Sequence, residues 1–297
     1  MSEPVPSLDA LARPSGTFVM VAMDQRESLR TMLAARHGGP VGDGRLADFK
    51  LKVTRELSPS ASALLVDSEY GWFARIVAEG LVAPSCGLIM AVDALDQEPG
   101  QIVEDTSLDR SVDVAAAAAA GVVALKLLVI WRDDAQRQRQ LELAQAFAEL
   151  AAEHGLLSVL EPVVRGPGGL DREAAIVEAA AELSGTGCDL YKCQVPLEGK
   201  GGPEEITSWA RAIDAACAVP WVVLSQGVDP ADFPAAVEAA CKGGASGMLA
   251  GRAVWTATVG ADDPTELLRT DSVPRLQQLA EIIDAHGRPW RQKGART

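Results

Sequence analysis

Short apolar runs recur along the chain, and each ends on or contains a polar or charged residue. Eight such runs lie at residues 18–24, 63–67, 87–93, 124–131, 157–164, 189–195, 221–228 and 247–255. Near-continuous aliphatic runs of this length are typical of strands that are covered on both faces of a parallel sheet. The pattern therefore predicts eight parallel β-strands.

Helical segments lie between the predicted strands. The clearest covers 133–154, where Leu143, Phe147 and Leu150 fall on one face and Gly155 ends the helix. Further helices are predicted at 171–183, 203–217 and 264–286. Strand and helix alternation of this kind favours an α/β protein with a single (β/α)8 TIM barrel. A doubly wound open sheet is the alternative.

The domain organisation follows from the same pattern. Residues 1–14 carry acids and prolines and are expected to form an N-terminal extension, and residues 15–297 are expected to form the barrel with its C-terminal helix. The N-terminus lacks the basic start and apolar core of a signal peptide. The longest apolar run, 114–125, is shorter than the roughly 20 residues of a membrane helix. We expect a cytoplasmic protein without a membrane partner.

Charge and composition narrow the function. The chain has 41 acidic and 27 basic residues, a net charge of -14, which disfavours nucleic acid as a partner. Five cysteines without CxxC spacing are expected to be free thiols in a reducing compartment. The three histidines, His37, His154 and His286, stand neither at strand ends nor at ligand spacing, so no metal site is expected.

Lys192 stands inside the sixth apolar run. A buried ammonium costs several kcal/mol unless it is paired, and a depressed pKa that leaves a neutral amine is the common alternative. Such an amine is the nucleophile of Schiff-base chemistry. A second lysine, Lys126, lies inside the fourth run. A snorkelling position on the outer face of its strand is the alternative for Lys126, although a covered parallel sheet disfavours it.

Polar residues mark the carboxyl ends of the runs. In a barrel these ends meet at one mouth, where active sites lie. The candidates are Asp24, Asp67, Asp93, Lys126, Glu161, Lys192, Ser225 and Arg252. Two amines and several carboxylates supply the nucleophile, the acids and the bases of an imine-forming enzyme. Taken singly, Asp24 is equally explained as a helix cap and Glu161 as a strand end before Pro162.

The last two runs suggest an anion site. Ser225-Gln226-Gly227 and Gly251-Arg252 end the seventh and eighth runs, where barrels often bind phosphate through backbone N–H groups. Glycine allows a close approach of the backbone, and arginine adds a bidentate donor. Ordinary turn chemistry is the alternative for the glycines. We predict a phosphate site at this part of the mouth.

These residues carry a family resemblance that spans nearly the whole chain. The chain resembles class I aldolases of the tagatose-1,6-bisphosphate aldolase type, and within that group it is most similar to sulfofructosephosphate aldolases. The shared segments are Asp24-Gln25-Arg26, 124–129, Glu161-Pro162-Val163-Val164-Arg165, 189–192, 199–201, 244–247 and 250–255. Trp131-Arg132 favours the sulfosugar branch, whereas 68–71 is closer to the tagatose branch.

The resemblance implies roles for matching positions. Lys192 matches the Schiff-base lysine, Glu161 a proton-transferring carboxylate, and Asp24 and Lys126 a charged pair beside the imine. The predicted substrate-binding residues are Gln25, Arg26, Asp67, Ser225, Gln226, Gly227, Gly251 and Arg252. Of these, Ser225, Gly227, Gly251 and Arg252 match the family's pocket for the C1 phosphate. Within this set, Gln25 and Arg26 are expected at the end of the substrate away from its C1 phosphate. The chemistry needs no metal or cofactor, and a homo-oligomer is a family expectation.

The implied reaction is cleavage of 6-deoxy-6-sulfofructose 1-phosphate to dihydroxyacetone phosphate and 3-sulfolactaldehyde. The alternatives are the same chemistry on tagatose or fructose 1,6-bisphosphate, and a non-catalytic barrel that binds a sugar phosphate. Only Arg26, Arg132 and Arg165 are evident partners for the distal anion, which favours a singly charged sulfonate. Two departures from the family pattern lie near the site. Gln194 replaces an expected glutamate on the Lys192 side of its strand, and Gln226 an expected small residue.

Overall fold

The computed structural model describes residues 6–98, 101–166 and 169–293. The strands, in chain order, are β1 (Phe18–Ala22), β2 (Ala63–Val66), β3 (Gly87–Ala91), β4 (Asp93–Asp96), β5 (Asp105–Leu108), β6 (Val122–Trp131), β7 (Leu157–Val164), β8 (Leu190–Cys193), β9 (Trp221–Val223) and β10 (Gly247–Ala250). Eight of them close into a parallel barrel in the order β1-β10-β9-β8-β7-β6-β3-β2. The predicted TIM barrel is confirmed, and the open sheet is excluded.

Helices surround the barrel. They are α1 (Glu27–His37), α2 (Asp43–Leu57), α3 (Trp72–Ala78), α4 (Val114–Ala119), α5 (Arg137–Glu153), α6 (Arg172–Leu183), α7 (Pro203–Ala216), α8 (Phe233–Lys242), α9 (Arg252–Trp255), α10 (Thr265–Leu267) and α11 (Val273–His286). None of the helices in the described residues is both long and apolar enough to span a membrane.

Alternation along the strands separates two hydrophobic layers. One side chain in two packs against the helices, and the others fill the barrel interior, among them Phe18, Met20, Leu65, Ile89, Leu157, Val159, Leu190 and Val222. Lys126 follows interior Ala124 by two residues, and Lys192 follows interior Leu190 in the same way. Because side chains alternate with a period of two, both lysines point into the barrel. The snorkelling alternative for Lys126 is wrong.

The strand ends differ from the prediction in the last two runs. The predicted strand 247–255 ends at Ala250, and its second half is helix α9. A side chain at Gly251 would place its Cβ 2.4 Å from the carbonyl oxygen of Ala22, so only glycine allows the chain to turn beside β1 here. The predicted strand 221–228 ends at Val223 and continues as a loop.

The helix predicted at 264–286 is interrupted. A π-helical turn, Leu268–Ser272, separates α10 from α11, and Pro274 stands in the first turn of α11. Proline has no backbone N–H, so the hydrogen-bond ladder of one continuous helix is broken at this position.

A two-stranded antiparallel hairpin follows the third barrel strand. Its strands β4 and β5 pair Asp93 with Leu108 and Asp96 with Asp105. The hairpin was not predicted, because its strands have only four residues each, both begin on aspartate, and they lack the run of β-branched and aromatic residues of typical strands. Its residues reach over the mouth of the barrel, at the end where the strands terminate.

The predicted extension, residues 1–14, packs against the barrel where it is described. Leu8 and Leu11 are buried with the interior residues of the barrel. Residues 1–5 lie outside the described part of the chain. Residues 167 and 168 also lie outside it.

Candidate active site

A cavity of about 240 Å³ opens at the carboxyl ends of the barrel strands. It brings together ten of the twelve side chains predicted for the site, namely Asp24, Gln25, Arg26, Lys126, Glu161, Lys192, Ser225, Gln226, Gly251 and Arg252. Asp93 also lines this cavity. Residues from six barrel strands and the hairpin therefore meet at one point, as the barrel geometry requires.

Lys126 is the centre of an ion-pair cluster. Its Nζ lies 3.0 Å from Asp24 Oδ2, 2.8 Å from Asp93 Oδ2 and 2.8 Å from Glu161 Oε2, and its side chain is 3% exposed. An ammonium has three N–H donors, and each of these carboxylates can accept one. Burial lowers the pKa of Lys126, but the three carboxylates outweigh burial and raise it well above the ordinary value. Lys126 is therefore a permanent cation.

Lys192 shares a carboxylate with Lys126. The Oε2 atom of Glu161 lies 2.9 Å from Lys192 Nζ, and the same oxygen contacts Lys126. Lys192 is 4% exposed and lines the cavity. The buried lysine is thus paired, and its partner is positioned to take a proton from it or to return one.

Asp24 follows β1 and pairs with Lys126 at 3.0 Å. Burial raises the pKa of Asp24, but Lys126 and Lys192 outweigh burial and hold it well below its ordinary value of 3.8. Asp24 is therefore ionised at every pH at which the protein is expected to work. Its carboxylate stabilises the cation beside Lys192 and is a poor proton donor.

Arg26 is buried and already paired. Its Nη1 lies 2.8 Å from the carbonyl oxygen of Asp93 and 3.3 Å from Asp93 Oδ1, and its Nε lies 2.8 Å from Glu69 Oε1. A guanidinium with two carboxylate partners has little left for a substrate anion. Arg26 instead holds Asp93 in place, and Asp93 also accepts from Leu128 N–H at 3.1 Å.

Asp67 does not line the cavity. Its carboxylate forms a fully buried ion pair with Lys50 of α2, and it accepts hydrogen bonds from Trp72 Nε1 at 3.2 Å and Glu69 N–H at 3.0 Å. The expectation that Asp67 contacts substrate is corrected by this placement. Strand β2 ends at Val66, one residue before Asp67, so strand alternation no longer determines where the Asp67 side chain points. It turns toward the helices and pairs with Lys50.

We expect the Lys50–Asp67 pair to contribute to stability and not to chemistry. Substitution of Lys50 by methionine leaves Asp67 as a buried charge without its cation, so the free energy of unfolding should fall by about 3 kcal/mol. Urea denaturation measures this change. The variant should still form a Schiff base, and a loss of that reaction in folded protein would show that the pair belongs to the site.

The predicted phosphate site lies beside β9 and β10. Arg252 is largely buried, and within the described residues no carboxylate pairs with it. Burial lowers the pKa of this guanidinium, as expected for a cation without a close counter-ion. Ser225 Oγ lies 3.5 Å from Ala253 N–H. The site offers a hydroxyl, an arginine and the glycine backbone of Gly251 to an anion.

Two residues near this part of the mouth differ from expectation. Gly227 does not line the cavity. Its φ of 84° requires glycine, and a Cβ there would lie 2.9 Å from Glu198 Oε1, so its role is in the loop backbone. Gln25 lies beside Gly251, since a Cβ at Gly251 would be 3.0 Å from Gln25 Nε2. Gln25 therefore belongs to the Arg252 side of the cavity and not to the far side.

The departures from the family pattern have different placements. Gln226 lines the cavity, and Gln194 does not. The amide of Gln194 accepts a hydrogen bond from Val164 N–H at 2.8 Å and so ties the ends of β7 and β8 together. Its expected place beside Lys192 is corrected, because β8 ends at Cys193 and the following backbone no longer alternates as a strand.

The far side of the cavity was not identified from the sequence as a defined surface. Apolar residues from β6, β7 and the hairpin line it, namely Leu95, Ile102, Val103, Leu128, Ile130 and Val163, together with Arg165 and the hairpin glutamines Gln97 and Gln101. The hairpin residues of the cavity were not predicted, because the hairpin itself was not predicted. Arg132, the third candidate cation, is not in the cavity, and its Nη2 lies 3.1 Å from Glu104 Oε2.

The geometry defines a class of protein. A barrel with a buried lysine in its mouth, paired to a shared carboxylate beside a permanent cation, has the parts of an imine-forming enzyme. Among the described residues, no group of three or more His, Cys, Asp or Glu side chains is arranged to hold a metal ion.

The chain belongs to the DeoC/LacD aldolase family, whose family model matches residues 18–257. It is therefore an aldolase, a lyase that acts on carbon–carbon bonds. It is 28% identical over 313 residues to tagatose 1,6-diphosphate aldolase 1 of Streptococcus pyogenes serotype M3 (strain SSI-1), with 94% of each chain covered. It is 26% identical to tagatose 1,6-diphosphate aldolase of Lactococcus lactis subsp. lactis, with 97% of each covered.

Solved structures share the fold. An archaeal fructose 1,6-bisphosphate aldolase superposes with a TM-score of 0.62 at 18% identity, covering 94% of this chain and 98% of the other. A Schiff base forming fructose-1,6-bisphosphate aldolase gives a TM-score of 0.61 at 18% identity, with 93% and 98% covered. At this level of identity the likeness supports the barrel and its closure.

Proposed function

We propose that this aldolase is a class I enzyme that cleaves a ketose 1-phosphate through a Schiff base on Lys192. The observation that carries the proposal is the position of Glu161 Oε2, 2.9 Å from Lys192 Nζ inside the cavity. A nucleophile needs a group within hydrogen-bond distance that can move its protons, and Glu161 is that group.

The chemistry begins with the loss of a proton from Lys192 to Glu161. The neutral amine attacks the C2 ketone, and the resulting carbinolamine loses water as Glu161 returns the proton to the departing hydroxyl. A base then removes the proton of the C4 hydroxyl, the C3–C4 bond breaks, and the aldehyde leaves. The electron pair passes to the imine nitrogen and gives an enamine, which is protonated at C3. Hydrolysis releases dihydroxyacetone phosphate and restores the amine.

Lys126, Asp24 and Asp93 act by their charge in this proposal. Lys126 remains an ammonium 2.8 Å from Glu161 Oε2, so it holds this carboxylate in place beside the amine of Lys192. Asp24 and Asp93 neutralise Lys126 and limit its repulsion of the developing iminium. Three carboxylates and the cations of Lys126, Lys192 and Arg26 form one nearly neutral cluster, which a low-dielectric cavity tolerates.

The C1 phosphate is assigned to the Arg252 side of the cavity. Ser225, Gln226, Gly251 and Arg252 line it there, and the position after β9 and β10 is the usual phosphate site of barrels. Gln25 is placed at the same side, where its amide can contact a phosphate oxygen or a neighbouring hydroxyl. A phosphate held there fixes the ketone at the Lys192 amine, which lies on the neighbouring strand β8.

For the distal end we propose a sulfonate, and so the substrate 6-deoxy-6-sulfofructose 1-phosphate with 3-sulfolactaldehyde as the aldehyde product. The support is the far side of the cavity, where Arg165 is the arginine among apolar and amide side chains. A sulfonate carries one charge and a phosphate nearly two. Tagatose 1,6-bisphosphate is the second candidate, favoured by the names of the relatives in Streptococcus and Lactococcus.

Steady-state cleavage assays decide between these substrates. We expect kcat/KM for the sulfonated ketose 1-phosphate to exceed that for tagatose and fructose 1,6-bisphosphate by about tenfold or more. A tenfold ratio corresponds to a difference of about 1.4 kcal/mol in activation free energy. A chelator should leave the rate unchanged. A clear preference for a bisphosphate would reject the sulfosugar assignment and leave the Schiff-base mechanism intact.

A further inference from the structure

Three arginines are candidates to meet an anion at the far end of a substrate, and two of them are already paired. Arg26 contacts Asp93 and Glu69, and Arg132 contacts Glu104. Arg165 lines the cavity and forms no ion pair with any described residue. In a chain with a net charge of -14, a half-buried arginine without a carboxylate partner indicates that an anion is brought by a ligand.

The backbone of Arg165 is fixed. Its N–H donates to the carbonyl oxygen of Trp131 at 2.9 Å, which extends the ladder between β6 and β7 by one residue beyond the strand. Glu161, Val163 and Arg165 alternate along β7 and all line the cavity. Arg165 therefore stands four residues, about 13 Å along the strand, beyond the catalytic carboxylate. A side chain on a strand end is held more rigidly than one on a loop.

The electrostatic surroundings of Arg165 leave its charge uncompensated. Its Nε is buried and has no hydrogen-bond partner among the described residues. Burial lowers the pKa of Arg165, and the neighbouring Arg132 lowers it further, while Glu104 opposes both. The side chain nevertheless stays charged, because an arginine is deprotonated only far above physiological pH. An anion in the cavity would provide both the missing hydrogen-bond acceptor and the missing counter-charge.

The two unpaired arginines of the cavity lie on nearly opposite walls. Arg252 follows β10 and Arg165 follows β7, which are three strands apart in a barrel of eight. Lys192 is on β8, between them. If an open-chain ketose binds Arg252 through its C1 phosphate and reacts with Lys192 at C2, its other end extends toward Arg165.

We propose that Arg165 binds the oxyanion at the distal end of the ketose, sulfonate or phosphate, and that it determines the preference for doubly anionic substrates. This inference rests on the proposed function. Ile130 of β6 is in register with Val163, two residues before Arg165, and both line the cavity, so the path from Glu161 to Arg165 is apolar. A charge-assisted bond of this kind is stronger when it is desolvated.

The test compares substrates that differ only at the far end. Cleavage of 6-deoxy-6-sulfofructose 1-phosphate, tagatose 1,6-bisphosphate and fructose 1-phosphate is measured with the wild-type protein and with Arg165→Ala, Arg165→Lys and Arg139→Ala. Arg139 is an exposed arginine that pairs with Asp105 on the hairpin and does not line the cavity, so Arg139→Ala is the matched control.

We expect Arg165→Ala to lower kcat/KM for the preferred doubly anionic ketose by roughly 10- to 100-fold, mainly through KM. Fructose 1-phosphate, which has no distal anion, should be cleaved within about twofold of the wild-type rate, since it never contacts Arg165. Arg165→Lys should recover part of the loss, and Arg139→Ala should behave as wild type. The ketose whose kcat/KM falls more in Arg165→Ala identifies the distal group, sulfonate or phosphate.

Equal losses on all three ketoses, or no loss on any, would overturn the assignment of Arg165. Failure of the proposed function is recognised separately and earlier. In that case the wild-type protein would cleave none of the three ketoses, before any variant is compared.

Discussion

Substitution of Lys192 by methionine is expected to abolish carbon–carbon cleavage, with kcat reduced by roughly 10⁴-fold or more. Methionine has a similar length and no amine, so it cannot form the imine that receives the electrons of the breaking bond. The fold should persist, because Glu161 keeps Lys126 as its cation. The rate of dihydroxyacetone phosphate release measures the loss, and circular dichroism checks the fold.

Lys192→Arg is the matched control for charge. Arginine can pair with Glu161, but its guanidinium stays protonated and does not form imines. We therefore expect this variant to be as inactive as Lys192→Met. Substantial cleavage by either variant would show that Lys192 is an ion-pair partner only, and that the nucleophile lies elsewhere in the cavity.

Substitution of Lys126 by methionine should reduce both stability and activity. Lys126 is buried against Asp24, Asp93 and Glu161, and without it three carboxylates face one another in a nearly dry site. Removal of one member of a buried ionic cluster typically costs about 3–5 kcal/mol of unfolding free energy. We expect a loss of this size in urea denaturation at pH 8, and a fall in kcat of about 10²-fold or more, since Glu161 loses the cation that positions its carboxylate beside Lys192.

The pH dependence of this loss has a definite sign. In the wild-type protein, Lys126 and Lys192 outweigh burial and hold the pKa of Asp24 below 3.8, so Asp24 adds stability above that value and loses it as the pH falls through the folded pKa. Without Lys126, burial and the neighbouring carboxylates dominate, and the pKa of Asp24 rises. The variant then gains relative stability as its carboxylates protonate, and its difference from wild type should shrink between pH 8 and pH 5.

Lys242→Met provides the control for surface charge. Lys242 pairs with Glu238 on the exposed side of α8, where an ion pair contributes about 1 kcal/mol or less. If Lys126→Met destabilised the protein no more than Lys242→Met at pH 8, the ion-pair cluster would not have the energetic importance that its burial implies.

The barrel and the centre of its site were predictable because strands impose strict geometry. A period of two places Lys126 and Lys192 in the interior, and parallel strands bring their carboxyl ends together. These two rules were sufficient to group Asp24, Lys126, Glu161 and Lys192. The hydrophobic runs set both the number of strands and the ends at which polar residues occur, so the prediction depended on local pattern alone.

The errors lie where strands end. Asp67 and Gln194 each stand one residue beyond a strand, and their partners, Lys50 and Val164, are fixed by packing between elements that are distant in the chain. The hairpin was missed because its strands are short and polar. The role of Arg165 also required coordinates, since only the pairing of Arg26 and Arg132 with carboxylates distinguishes it from them.

Borohydride trapping tests the central claim most directly. The protein is incubated with dihydroxyacetone phosphate, reduced with sodium borohydride, digested and examined by mass spectrometry. The Schiff-base mechanism predicts a reduced adduct on the peptide that contains Lys192, absent from Lys192→Met and present in Lys50→Met. An unmodified wild-type protein, or an adduct that persists in Lys192→Met, would contradict the assignment of Lys192 as the imine-forming residue.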